Sequence, residues 1–132
     1  MEGTIINKIS LVDSSQINGG GSTTDWGGVA YMKGQNNYLA IINGASVSQC
    51  SAIKGAGCFY FGGSQINDVQ IVSGALGQSS IGSVLLSSTN AADACNGGVF
   101  YMIGKKQTFN LTGSLISDVS TKGYGGIIFS QP

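Results

Sequence analysis

A short phrase, two small residues followed by apolar and aromatic ones, returns four times along this chain and constrains its fold more than any other feature. It reads Gly27-Gly28-Val29-Ala30-Tyr31-Met32, Ala56-Gly57-Cys58-Phe59-Tyr60-Phe61, Gly97-Gly98-Val99-Phe100-Tyr101-Met102 and Gly125-Gly126-Ile127-Ile128-Phe129, with a weaker copy at Gly82-Ser83-Val84-Leu85-Leu86. From Gly28 to Gly57, Gly98 and Gly126 the steps are 29, 41 and 28 residues. Recurrence at about 20 to 50 residues marks a repeat architecture, in which each repeat buries its apolar face only against its neighbours. The expectation is a stack of coils.

Within a repeat the order of events is constant. The apolar strand Val29 to Met32 is followed by a polar turn at Lys33-Gly34-Gln35-Asn36-Asn37, the strand Tyr38 to Ile42, a corner at Asn43-Gly44, and Ala45-Ser46-Val47-Ser48. Short runs rich in Val, Ile, Tyr and Phe between Gly, Asn and Ser clusters are strand chemistry with turn punctuation. No segment holds a helical period. With 22 glycines and its sole proline at Pro132, the chain can turn sharply without breaking ladder hydrogen bonds. A coil of that length fits three short strands and three corners. The predicted fold is therefore all-β, a right-handed parallel β-helix (solenoid) of about four to six coils without terminal caps, forming a single domain over 1–132. Handedness follows from the right-handed preference of parallel crossovers. The 41-residue step is the irregular one: either Val84 to Ser88 is a later strand of its coil, or one coil carries an insertion.

The double-glycine phrases resemble the Gly-Gly-Ala-Ile type repeats of polymorphic outer-membrane proteins and of adhesin-like right-handed β-helix proteins, within the pectin-lyase-like superfamily. The resemblance covers most of the chain. Those repeats usually pair the double glycine with Phe-x-x-Asn, whereas Phe109 and Asn110 are adjacent here. An adhesive function is what the resemblance implies.

Composition narrows the function classes. Six lysines, six acids, no arginine and no histidine give a formal net charge of zero. Neutralising phosphates takes a basic stripe, and Lys105-Lys106 is the only adjacent pair, so nucleic acid is not an expected partner. No apolar run reaches the roughly 18 residues of a membrane span, and the N-terminus lacks a basic-then-apolar signal pattern. The acids Asp13, Asp25, Asp68, Asp93 and Asp118 stand singly, as turn and strand-end residues do. Glycoside hydrolysis needs two carboxylates flanking one bond. No catalytic residue, metal site or cofactor is assigned, and the chain is not expected to be an enzyme. Gly19-Gly20-Gly21-Ser22-Thr23-Thr24-Asp25 occurs once, without the repeated spacing of a calcium-binding β-roll.

Four features carry the remaining expectations. Aligned on their glycines, Tyr31, Tyr60, Tyr101 and Phe129 form one column and Ala30, Phe59, Phe100 and Ile128 the next, on opposite faces of a strand. One apolar column must face outward, either shielded by a loop such as Gly19 to Trp26 or serving as a lateral contact surface. Cys50 and Cys95 both precede a double-glycine strand and are expected to pair if their coils are adjacent, leaving Cys58 as a buried filler. Asn110-Leu111-Thr112 is the one N-glycosylation sequon, with Asn110 as acceptor.

The ends are the fourth. The last copy, Gly125 to Pro132, reads as the first strand of a coil, and Gly3 to Val12 reads as the later strands of one. Joined between two copies, Gly126 to the next Gly28 spans 34 residues, one coil with a slightly long corner. A head-to-tail contact that does not close makes a filament. The expected function is a non-enzymatic structural subunit of an extracellular fibre or surface scaffold, with itself as partner. Thr4, Ile5, Ile6, Ile9, Leu11, Ile127, Ile128 and Phe129 are the expected assembly residues. A fragment of a larger β-helix adhesin, or a carbohydrate-binding β-helix with glycans as partners, are the alternatives.

Overall fold

A computed structural model of the chain describes residues 6–22, 26–62, 65–77, 80–81, 96–119, 121 and 123–132. In chain order the strands are β1 (Ile6–Leu11), β2 (Gln16–Ser22), β3 (Ala30–Met32), β4 (Asn36–Ile42), β5 (Ser46–Ala52), β6 (Phe59–Gly62), β7 (Ile66–Val72), β8 (Ala75–Gly77), β9 (Ser80–Ile81), β10 (Phe100–Ile103), β11 (Lys106–Thr112), β12 (Leu115–Ser117) and β13 (Ile128–Gln131). They form three sheets, ordered β1-β4-β7-β11, β2-β5-β8-β12 with β9 also on β5, and β3-β6-β10-β13. Every pairing is parallel. Apart from β9, successive strands visit the three sheets in the same cyclic order, so each visit adds one layer of three strands.

The double-glycine phrases mark the third sheet. Phe59 is opposite Ala30 and Phe100, Phe100 is opposite Ile128, and Tyr31, Tyr60, Tyr101 and Phe129 are in register one residue later. The two glycines serve different needs. The first sits in the left-handed region at a corner, with φ of 68°, 68° and 66° at Gly27, Gly97 and Gly125 and 53° at Ala56. The second lets stacked backbones approach: a Cβ on Gly28 would run into the carbonyls of Ser51 and Gly57, and one on Gly98 into Gly126 and Val119. A second corner column, before the second sheet, holds Asp13, Asn43, Ser73 and Gly113 at φ of 52° to 55°.

The core lies between the sheets. In β4 and β7 burial alternates strictly, placing Asn37, Leu39 and Ile41, then Asn67, Val69 and Ile71, inward. Phe59, Phe61 and Phe100 stack inside at centroid distances of 5.6 to 6.3 Å, and Phe109 meets Phe100 edge-on at 5.2 Å. Each fully buried side chain of this size contributes about 1.5–3 kcal/mol.

The irregular step has a definite position. Ala52 pairs with Ile81, and Gly55 bridges Asn96. Three residues on one layer thus correspond to fifteen on the next, so the insertion falls within 82–95. The weak copy at Val84 to Ser88 lies in that range, outside the described residues.

The cysteine pairing differs from the expectation. Cys50 is bonded to Cys58, with their Cα atoms 5.2 Å apart, and not to Cys95, which lies outside the described residues. The reason is local. Gln49 adopts φ 55° opposite Gly19 at φ 83°, which inserts one outward residue into β5 and returns Cys50 to the inner face. Cys50 and Cys58, each 1% exposed, then face each other across the corner between the second and third sheets.

Candidate functional site

Two surfaces distinguish this molecule: an aromatic stripe on the outside of the third sheet, and the exposed edges of the first and last layers. The stripe follows from side-chain alternation, which turns Phe59 and Phe100 inward and therefore Tyr60 and Tyr101 outward. Tyr31 and Tyr60 stack at 4.6 Å, Tyr60 and Tyr101 at 5.4 Å, and Phe129 tilts onto Tyr101 at 4.9 Å. Trp26 lies over this row, 5.2 Å from Tyr60 and 4.8 Å from Tyr101. Gly55 makes that possible, because a Cβ there would meet the indole ring. Tyr101 is consequently only 4% exposed, and its hydroxyl donates to Gln131 Oε1 at 3.2 Å. Pairs of this kind add about 0.5–1.5 kcal/mol each beyond area burial. Within the described residues, Trp26 covers Tyr60 and Tyr101 of the outer column, and Tyr31 and Phe129 stay half-buried.

The layer edges are different. Among the described residues, the exposed large hydrophobic side chains are Ile6, Val12, Leu111, Leu115, Tyr124 and Ile127. All six belong to the first layer or to the last two. Leu111 and Ile127 are instructive because their columns point inward. Ile41 and Ile71, in register with Leu111, are fully buried, and Val99, whose backbone N–H donates to Ile127 O, is buried as well. Leu111 and Ile127 are nevertheless 45% and 41% exposed. Among the described residues, no further strand layer covers them.

Of the expected assembly residues, Thr4 and Ile5 lie outside the described residues. Ile6 is exposed, Ile9 and Leu11 are half-buried against the core, and Ile127, Ile128 and Phe129 flank or form β13. β1 and β13 are edge strands of different sheets, at opposite ends of the stack.

The described acids Asp13, Asp68 and Asp118 lie on separate elements. Asp13 and Asp118 occupy left-handed turn positions at φ 52°, where short polar side chains are tolerated. Asp68 is an outward residue of β7 that accepts from Gln70 Nε2 at 2.6 Å. Asp25 and Asp93 lie outside the described residues. Among the described residues no group of three His, Cys, Asp or Glu side chains is placed to hold a metal ion. A shallow groove of about 330 Å³ runs along the outer face of the first sheet between Ile6, Lys8, Tyr38 and Asp68. Part of its polar rim is engaged: Gln70, bonded to Asp68, also accepts from Asn110 Nδ2 at 2.9 Å. Asn110, the sequon residue, is exposed on β11, and its Oδ1 accepts from Thr112 at 2.8 Å.

One row of residues escaped the sequence reading. Asn7, Asn37 and Asn67 stack inside the first sheet; Asn7 Nδ2 donates to Asn37 Oδ1 at 3.0 Å, Asn37 Nδ2 to Asn67 Oδ1 at 2.9 Å, and Asn67 Nδ2 to Ile103 O at 2.7 Å. The signal was present, asparagine at 7, 37 and 67 at a constant spacing of 30, but it falls outside the double-glycine phrase. Gln107 takes the fourth place and donates to Gly104 O and Gln131 O. No family model, curated protein or solved structure matches this chain.

Proposed function

We propose that this chain is a right-handed parallel β-helix that serves as a non-enzymatic structural subunit of an extracellular fibre or surface scaffold, built by head-to-tail stacking of copies. One observation carries the reading: the inward columns end on Leu111 and Ile127, exposed core residues on the last layers, while Ile6 and Val12 are exposed on the first. Among the described residues the exposed large apolar side chains gather at the two ends, as they do at interaction sites, and strand edges with unpaired backbone groups recruit another strand. The cyclic path of the chain through three parallel sheets supports the β-helix, and its right hand follows from the preference of about 98% among parallel crossovers. A buried disulfide favours an oxidising, extracellular setting. The double-glycine repeats resemble those of adhesin-like surface proteins, in keeping with a scaffold. Among the described acids, Asp13, Asp68 and Asp118 stand apart and each accepts from a neighbouring side chain, which supports a role without catalysis.

Negative-stain microscopy and sedimentation of the purified 132-residue chain test the reading. Fibres of uniform width that lengthen with protein concentration are expected. Dispersed monomers at high concentration overturn it and favour an origin within a larger β-helix surface protein.

A further inference from the structure

The edges of the stack specify more than that copies associate; they specify where each residue of one copy meets the next. We infer that a second copy docks by extending all three sheets at once, in parallel, with β11 on β1, β12 on β2 and β13 on β3, in the same register that the layers use internally. This rests on the head-to-tail reading and adds to it the contact residues and their alignment.

The argument is one of continuity. Ile9, Leu39, Val69 and Phe109 form one inward column, and Leu11, Ile41, Ile71 and Leu111 the next. Continuing that register sets Phe109 on Ile9 and Leu111 on Leu11, and covers the exposed face of Leu111 with the same kind of side chain that covers Ile41 and Ile71. In the third sheet the register places Phe129 on Tyr31, which extends the stacked row of aromatic rings from one copy to the next.

Polar groups raise no objection to this alignment. Lys8 falls opposite Thr108 and Lys106 opposite Ile6, so no two like charges are directly opposed, a placement that would be destabilising. The amide of Gln107 is bonded within its own copy, to Gly104 O and Gln131 O, and brings no unsatisfied donor into the junction. A register displaced by two residues would set Leu111 against Ile9 and leave one apolar residue on each side without a counterpart.

Disulfide trapping reads the alignment directly. Lys8 and Thr108 are exposed, outward residues of one column, and strand partners lie about 5 Å apart, within disulfide reach. In a background carrying Cys95→Ser, the pair Lys8→Cys with Thr108→Cys is expected to oxidise into a ladder of covalent dimers, trimers and longer chains. The pair Lys8→Cys with Asn110→Cys, displaced by two residues and about 8 Å apart, is expected to give at least tenfold less. Fibres that form without cross-linking of the in-register pair, or that cross-link the displaced pair equally well, overturn this register while leaving head-to-tail assembly standing. Absence of any assembly in sedimentation removes both.

Discussion

Ala56 is the one member of its corner column that is not glycine. At φ 53° it holds a conformation that Gly27, Gly97 and Gly125 adopt at little cost, and an L-residue in the left-handed region loses roughly 1–2 kcal/mol. Glycine there restores the pattern but adds freedom to the unfolded chain, which offsets part of the gain. Ala56→Gly is therefore expected to raise stability by about 0.5–1 kcal/mol, read as a higher urea midpoint with an unchanged slope. A lower midpoint would mean that the methyl group contributes packing that outweighs the strain, since Ala56 is fully buried. The opposite logic holds at Gly28 and Gly98, where the obstacle is a neighbouring carbonyl rather than a dihedral angle.

At the scale of an element, the asparagine row shows how the first sheet tolerates polar side chains inside its core. Asn37 is both acceptor for Asn7 and donor to Asn67, and it is fully buried. Removing it strands one donor and one acceptor away from water, at about 1–3 kcal/mol each. Asn37→Ala is expected to lower stability by about 2–4 kcal/mol, measured by urea denaturation of freshly refolded monomer. Leucine at the same position, which adds volume as well as removing the amide, should be no better. A loss below about 0.5 kcal/mol would show that water replaces the amide and that the row is not an essential support of the sheet.

For the whole molecule, equivalent positions in one column should behave differently according to layer. Ile71 and Leu111 share the inward column, yet Ile71 is covered on both sides and Leu111 on one. Burying a lysine at Ile71 leaves an unpaired charge in the core. At Leu111 the ammonium can still reach water in the monomer, but in the docked copy it would be enclosed. Leu111→Lys is thus expected to preserve the strand-rich circular dichroism spectrum while reducing fibre formation at least tenfold by sedimentation, whereas Ile71→Lys should unfold the chain. Equal assembly by Leu111→Lys and the natural chain would remove this end from the contact.

Repetition was legible from the sequence because stacking makes it obligatory. Residues that occupy one column share one environment, so the glycines of the corner, the inward Phe59 and Phe100 and the outward Tyr60 and Tyr101 recur together, and the alignment of Tyr31, Tyr60, Tyr101 and Phe129 followed from spacing alone. The asparagine row obeys the same rule and could have been found by its spacing of 30. What the sequence could not decide are the features that depend on a single departure from alternation or on contacts between different sheets. Gln49, one residue in the left-handed conformation, turns Cys50 inward and selects Cys58 over Cys95. Trp26 covers Tyr60 and Tyr101 only because Gly55 leaves room for its ring. The insertion within 82–95 is located only by the pairs on either side of it. In each case the deciding quantity is a distance across the fold, and spacing along the chain does not contain it.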